Sequence, residues 1–339
     1  MKVSAIIGAM SLSLLAFGSS ASWAAAGPAA VDIHQDPTAV GTPVGKRGPT
    51  TVKFHLTAKE VVGVLEEKTT FNYWTFDGKV PGPMLRARVG DTIELTLTND
   101  KTSAMYHNID LHAVWGQGGG AEATKVAPGE SKTFTFKALH AGLFVYHCAT
   151  APIPQHISNG MYGMILIEPE GGLKPAKEFY MMQGDMYADG AGARKEFNMD
   201  KMSAEQPTHV VINGAPAALA ANPMKVKVGD EVRVFFGVGG PNLTSSFHAI
   251  GTIFDRVYKE ASLTSPPSKD VQTTSVPPGG ATMVEFNARV PAKYIFVDHA
   301  LGRLSKGAVA IMQADGPQRP EWFKEGPAAG SAEAKPAKK

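Results

Sequence analysis

A chain of 339 residues, 43% apolar and 19% charged, is long enough to bury two cores of ordinary domain size. Its 33 basic and 31 acidic side chains leave a formal charge of +2, which gives no grounds for nucleic acid as a partner. A single cysteine excludes an internal disulfide, so a free thiol in an oxidising compartment needs another use.

Residues 1–26 read as a secretory signal. Lys2 supplies a short positive region, Ala5 to Phe17 is mostly apolar, and small residues follow from Ser20 to Ala26. That apolar run is shorter than the roughly 20 residues a spanning helix needs. Cleavage and a periplasmic mature chain without a membrane span are therefore expected. Residues 27–50 are rich in Pro, Gly and Ala without periodicity and predict a flexible linker, in which His34 is solvated.

From residue 51 the chain reads as short strands punctuated by turns: TVKFHLTA, YWTFDG, KVPGPMLRARVGDTIELTLTND, VAPGESKTFTFKA, AGLFVYHCA and GMYGMILIEPEG. Helical periodicity is weak, and turn signals at roughly 8–12-residue spacing indicate a β-sandwich. The second half repeats the first. Residues 86–99 (RARVGDTIELTLTN) are echoed by 225–238 (KVKVGDEVRVFFGV), 127–147 by 277–299, and 160–171 by 306–316. The predicted organisation is one sandwich over 51–172, a second over 173–318, and a disordered Ala/Gly/Pro/Lys-rich tail over 319–339.

The stretch FVYHCATAPIPQHISNGM (144–161) carries the chemistry. It holds Cys148, then His156 and Met161, on a loop after a β-rich run. A thiolate, an imidazole and a thioether, joined by His107 from upstream, form the ligand set of a blue-copper centre: two His and one Cys in a plane with a weak axial Met. The alternative, a small buried cysteine beside unrelated histidines, does not explain three ligand types at this spacing.

His112 and His147 remain. Neighbouring strand residues face opposite ways, so His147 points away from the site that Cys148 enters. If the strand carrying them is regular, His107 and His112, five apart, also diverge. His112 and His147 then meet either as a hydrogen-bonded core pair or as part of a second metal site. In the repeat, Asp298-His299-Ala300 stands where the first half has Tyr146-His147-Cys148. His299 would complete three imidazoles with one open position, as a reactive metal requires. Asp110 lies two residues before His112, on the same face. His248 follows a Gly-rich loop and is either a satisfied core histidine or a proton donor. His140 and His209 read as surface residues.

These segments, with NYWTFDGKVPGP, HNIDLHA, GQGGGA, GGPNLTSSFHAIGTIFD and VDHALGR, closely resemble the two-domain copper nitrite reductases, particularly the branch that includes outer-membrane-associated forms. The resemblance spans roughly Val52 to Gly316. It implies an all-β fold of two tandem cupredoxin-like Greek-key sandwiches, and two coppers per subunit. Type 1 copper falls on His107, Cys148, His156 and Met161. Type 2 copper falls on His112 and His147, with His299 from a neighbouring subunit of a homotrimer. Asp110 and His248 resemble the catalytic pair, Ile250 the residue shaping the pocket, and Thr273 the hydrogen-bond partner of the catalytic histidine. The implied reaction is one-electron, two-proton reduction of nitrite to nitric oxide and water, fed by a cupredoxin or c-type cytochrome, with the electron crossing Cys148–His147. Val114-Trp115, Thr252 and Gly302 depart from the usual pattern. A laccase-type oxidase needs His-x-His motifs that the chain lacks. An electron carrier using only the first site is the non-catalytic rival.

Overall fold

The computed structural model describes residues 30–326; the expected signal segment and residues 327–339 of the expected tail lie outside them. The first half supplies β1 (Thr51–Glu66), β2 (Thr69–Phe76), β3 (Leu85–Arg88) and β4 (Thr92–Asn99). It continues with β5 (Asp110–Leu111), β6 (Ser131–Lys137), β7 (Gly142–His147), α1 (Ile153–Ser158) and β8 (Tyr162–Glu168). The second half gives β9 (Lys177–Met186), β10 (Ala188–Asp189), β11 (Arg194–Phe197), β12 (His209–Ile212), β13 (Met224–Lys227) and β14 (Glu231–Gly240). It ends with β15 (Ser245–Ile250), β16 (Phe254–Tyr258), β17 (Ser268–Val271), β18 (Thr273–Val276), β19 (Ala281–Asn287), β20 (Ala292–Asp298) and β21 (Val309–Asp315).

Four sheets result. The orders β10-β11-β2-β1-β4-β6 and β3-β8-β7-β5 face each other in the first half; β12-β9-β14-β19-β16-β17 and β13-β21-β20-β15-β18 do so in the second. Alternation drives this packing: in β4 every second side chain (Ile93, Leu95, Leu97) is fully buried, and the interleaved threonines are not. The echoed segments pair alike. β3 runs parallel to β8 as β13 does to β21, and β4 is antiparallel to β6 as β14 is to β19. β7 and β20 are thus counterparts, so His147 and His299 leave equivalent strand ends.

Two features differ from expectation. β10 and β11 follow the predicted junction near residue 172 in sequence, yet β11 pairs parallel with β2 and extends a first-half sheet. The described part of the 27–50 segment is not a free linker. Val31 and His34 bridge to Gly63 and Val80, Ile33 is fully buried, and Arg47 makes a two-pronged ion pair with buried Asp91 at 2.6 and 2.7 Å. Ile33 sits in a core that mixes Tyr73, Leu143 and Met164 of the first half with Tyr180, Phe235 and Met283 of the second. Burying one isoleucine is worth about 1.5–3 kcal/mol, enough to dock a segment with no periodicity of its own. At the other end, Trp322 lies under the guanidinium groups of Arg319 and Arg289 at 5.2 and 6.0 Å, so the start of the tail is held too.

A ladder of charges, buried except at its Arg256 end, crosses between the halves. Arg86 bonds Glu168 at 2.5 Å and Glu178 at 2.7 Å; Glu178 accepts from Arg233 at 2.7 Å. Arg233 bonds Glu285 at 2.8 and 2.5 Å, and Arg256 reaches the other oxygen of Glu285 at 2.6 Å. Burial pushes the Glu285 carboxyl up, but Arg256 and Arg233 outweigh it and hold it below the usual value.

Candidate metal centres

His107, Cys148 and His156 converge in the first sandwich, all fully buried. The Cys148 Sγ lies 3.2 Å from His156 Nδ1 and 3.9 Å from His107 Nδ1, and the two Nδ1 atoms are 3.3 Å apart. Three lone pairs aimed at one small space suit a single soft-to-borderline cation such as copper better than a hydrogen-bonded trio. Burial pushes the Cys148 thiol up, but the two imidazoles pull it down further, to about 5. The thiolate that a metal needs is therefore the favoured form.

Local structure explains the convergence. α1 carries His156 after Pro152 and Pro154, which suit a helix start. Gly160 then adopts φ +118°, where a Cβ would strike Val80, and turns the chain back. Met161, fully buried, donates its amide to the His156 carbonyl at 3.1 Å and accepts from the Cys148 amide at 3.1 Å. Trp74 stands edge-on to His156, centroids 4.5 Å apart. Asn108 donates its amide toward the Cys148 Sγ at 3.5 Å and takes the Ala149 amide on its Oδ1 at 2.7 Å.

On the other side of the Cys148–His147 peptide, Asp110, His112 and His147 form a second group. His112 Nε2 is 3.2 Å from His147 Nε2, with perpendicular rings, and Asp110 Oδ2 is 3.8 Å from His147 Nε2. The Cys148 carbonyl can only accept, so the 3.1 Å contact from His147 Nδ1 fixes the proton there and leaves Nε2 free as a ligand. Desolvation and then the neighbouring His147 lower the basicity of His112, which keeps it neutral and able to ligate. The facing argument reached this outcome on a premise the structure corrects. No continuous strand carries His107 and His112. His107 makes an isolated bridge with Val126, β5 is only Asp110–Leu111, and His112 bonds the Val145 carbonyl at 3.0 Å.

Among the described residues, His299 joins neither group within one chain. It sits beside His248 in the second sandwich, ring centroids 5.3 Å apart. Ile250, two residues on from His248, is 43% exposed. Thr273 Oγ1 is 3.4 Å from His248 Nδ1, but the Gln272 carbonyl is much nearer at 2.6 Å. His299 is anchored through its neighbour. The fully buried Asp298 takes the Ser246 and Ala300 amides at 3.1 and 3.0 Å, Gln183 at 3.1 Å and Arg303 at 2.5 Å. Trp115 is 78% exposed and lies tilted against His140, ring centroids 5.5 Å apart, and a Cβ added at Gly302 would meet nothing within 4 Å. Sequence reading missed Asn108, Gln272 and Asp298. Backbone acceptors leave no trace in residue type, and only the adjacency of Asp298 to His299 was visible.

A family model described as multicopper oxidase matches residues 58–172. The copper-containing nitrite reductase of Neisseria meningitidis serogroup B is 49% identical over 80% of this chain and 71% of its own length. That of Neorhizobium galegae is 36% identical over 75% and 72%. A solved copper nitrite reductase from Nitrosomonas europaea superposes with a TM-score of 0.72 at 33% identity, covering 80% of this chain and 96% of that one.

Proposed function

The chain belongs to the copper-containing nitrite reductases, with two tandem cupredoxin-like Greek-key sandwiches, and from that premise we propose how its residues divide the work of reducing nitrite. The observation that carries the reading is the pair of donor clusters joined by a single peptide bond, Cys148–His147. His107, Cys148, His156 and Met161 would hold one copper. His112 and His147, with the partner subunit's His299 in a homotrimer, would hold the other, giving two per subunit. Copper supplies one-electron redox change at the buried centre and Lewis acidity at the open one. The electron would enter from a cupredoxin or c-type cytochrome, with the Cys148–His147 peptide as the covalent route between the two groups.

Nitrite takes up one electron and two protons and loses one N–O bond, leaving nitric oxide and water. Asp110, beside His147, is placed to protonate the departing oxygen. The partner subunit's His248 supplies the second proton, since His248 stands beside His299; its Nδ1–H is held by the Gln272 carbonyl, so Nε2 is the atom that gives and takes. Thr273 steadies that ring and Ile250 walls the pocket. The signal-like composition of residues 1–26 and the single cysteine support a periplasmic setting. No helix among the described residues is long and apolar enough to cross a membrane.

Copper per subunit, measured on wild type and on His299→Ala with nitrite reduction from a reduced artificial donor, tests this division. Two coppers in wild type, with the variant keeping its coloured centre but losing one copper and the activity, support it. Two coppers and an unchanged rate in the variant would sink the assignment of His299.

A further inference from the structure

We propose that Glu60 is a positioning residue for the buried centre: from β1 it fixes the ring of His107 and tunes how readily that centre accepts an electron. The proposal rests on the reading of His107 as a copper ligand. One carboxylate oxygen, Glu60 Oε1, receives three donors from a single loop, the Ala104 amide at 3.0 Å, the Met105 amide at 2.8 Å and His107 Nε2 at 3.2 Å. The side chain is only 10% exposed, so these bonds compete little with water. The contact also decides the tautomer. Since an ionised carboxylate only accepts, His107 carries its proton on Nε2 and presents the Nδ1 lone pair toward Cys148 and His156.

The two imidazoles of the centre are therefore not equivalent. His156 Nε2 is buried without a hydrogen-bond partner, and its ring meets Trp74 edge-on; Trp74 is the register partner of Glu60 across β1 and β2. Only one ligand is backed by a negative charge. A carboxylate behind a ligating imidazole raises its basicity, and such partners are typically worth about 10–100-fold in metal affinity. The added charge stabilises the more highly charged oxidised state of the metal over the reduced one. It also ties the loop before His107 to a long paired strand, which holds the ring in place when the site is empty.

Glu60→Gln keeps an oxygen acceptor for the loop and removes the charge; Glu60→Ala removes both. Copper-loaded Glu60→Gln is expected to keep the thiolate-to-copper absorption of wild type while its reduction potential shifts upward. Glu60→Ala is expected to lose about 10–100-fold in copper affinity at that centre. Without copper, hydrogen exchange at the Ala104 and Met105 amides should rise in Glu60→Ala and stay near wild type in Glu60→Gln. A potential unchanged in Glu60→Gln, or equal copper affinity in all three proteins, overturns the proposal. The underlying ligand reading fails separately: wild type would then lack the thiolate absorption, or His107→Ala would retain it.

Discussion

The two donor clusters of the first sandwich lie one peptide apart and are built on opposite principles. The His107–Cys148–His156 centre is complete within one chain, fully buried, and braced by Trp74, Asn108 and the Met161 backbone. The Asp110–His112–His147 group is at the surface and contributes two imidazoles and a carboxylate, while the other two histidines of interest, His248 and His299, face each other in the second sandwich. A site that only passes an electron gains from rigidity and exclusion of water. One that must admit an anion, protonate it and release a gas needs an opening. One strand end can feed both groups because, where β7 ends, Cys148 turns inward and His147 outward.

That contrast can be broken most completely at Cys148. Cys148→Ser should abolish the thiolate-to-copper absorption, leaving the second copper in place with its electron paramagnetic signal intact; persistence of the colour would refute the buried ligand set. Next in size is Asp110→Asn, which keeps the shape and removes the proton. Its kcat should fall by about 10²–10⁴-fold while copper content and the coloured centre stay as in wild type. Retention of full kcat would remove Asp110 from the chemistry.

Glu285→Gln probes the frame instead of either centre. Arg233 then keeps Glu178 as its one charged partner, and losing the charge-assisted bonds to Glu285 should cost about 1.5–3 kcal/mol in chemical denaturation, with both copper signals unchanged. The same carboxyl gives the pH dependence. Its native value lies below the unfolded one, so its contribution is complete above the ordinary glutamate range and is lost as pH falls through the lowered native value. Wild type should therefore lose more stability on acidification than Glu285→Gln, and parallel pH profiles would exclude the ladder as the cause. The smallest effect belongs to Trp115→Ala. With its ring 78% exposed, stability should move by no more than about 0.5 kcal/mol, as thermal unfolding would report.

Much of this was legible in residue order. Cys148, His156 and Met161 declared themselves because three different donor types sit within 14 residues in a chain with one cysteine. The duplicated segments put His299 at the repeat position equivalent to His147. The facing of His112 was reached by assuming a regular strand, although loop backbone bonds to Val126 and Val145 do the orienting. The docked arm was not legible. Its composition has no period to read, and the pocket for Ile33 exists only once both halves are folded. Glu60 was hidden for a similar reason: its meaning lies in a contact across 47 residues of chain, not in its neighbours.

The ladder from Glu168 to Arg256 has a calorimetric consequence. Domains joined by a modest polar contact melt separately, whereas here a shared apolar core and alternating buried charges run from one half into the other. Unfolding either half removes one buried charged partner from the other, Glu178 from Arg86 or Arg86 from Glu178. A single heat-absorption peak spanning both sandwiches is expected. Because the desolvation penalty of ion pairs shrinks on warming, that coupling should tighten relative to the apolar contacts as the melting temperature is approached.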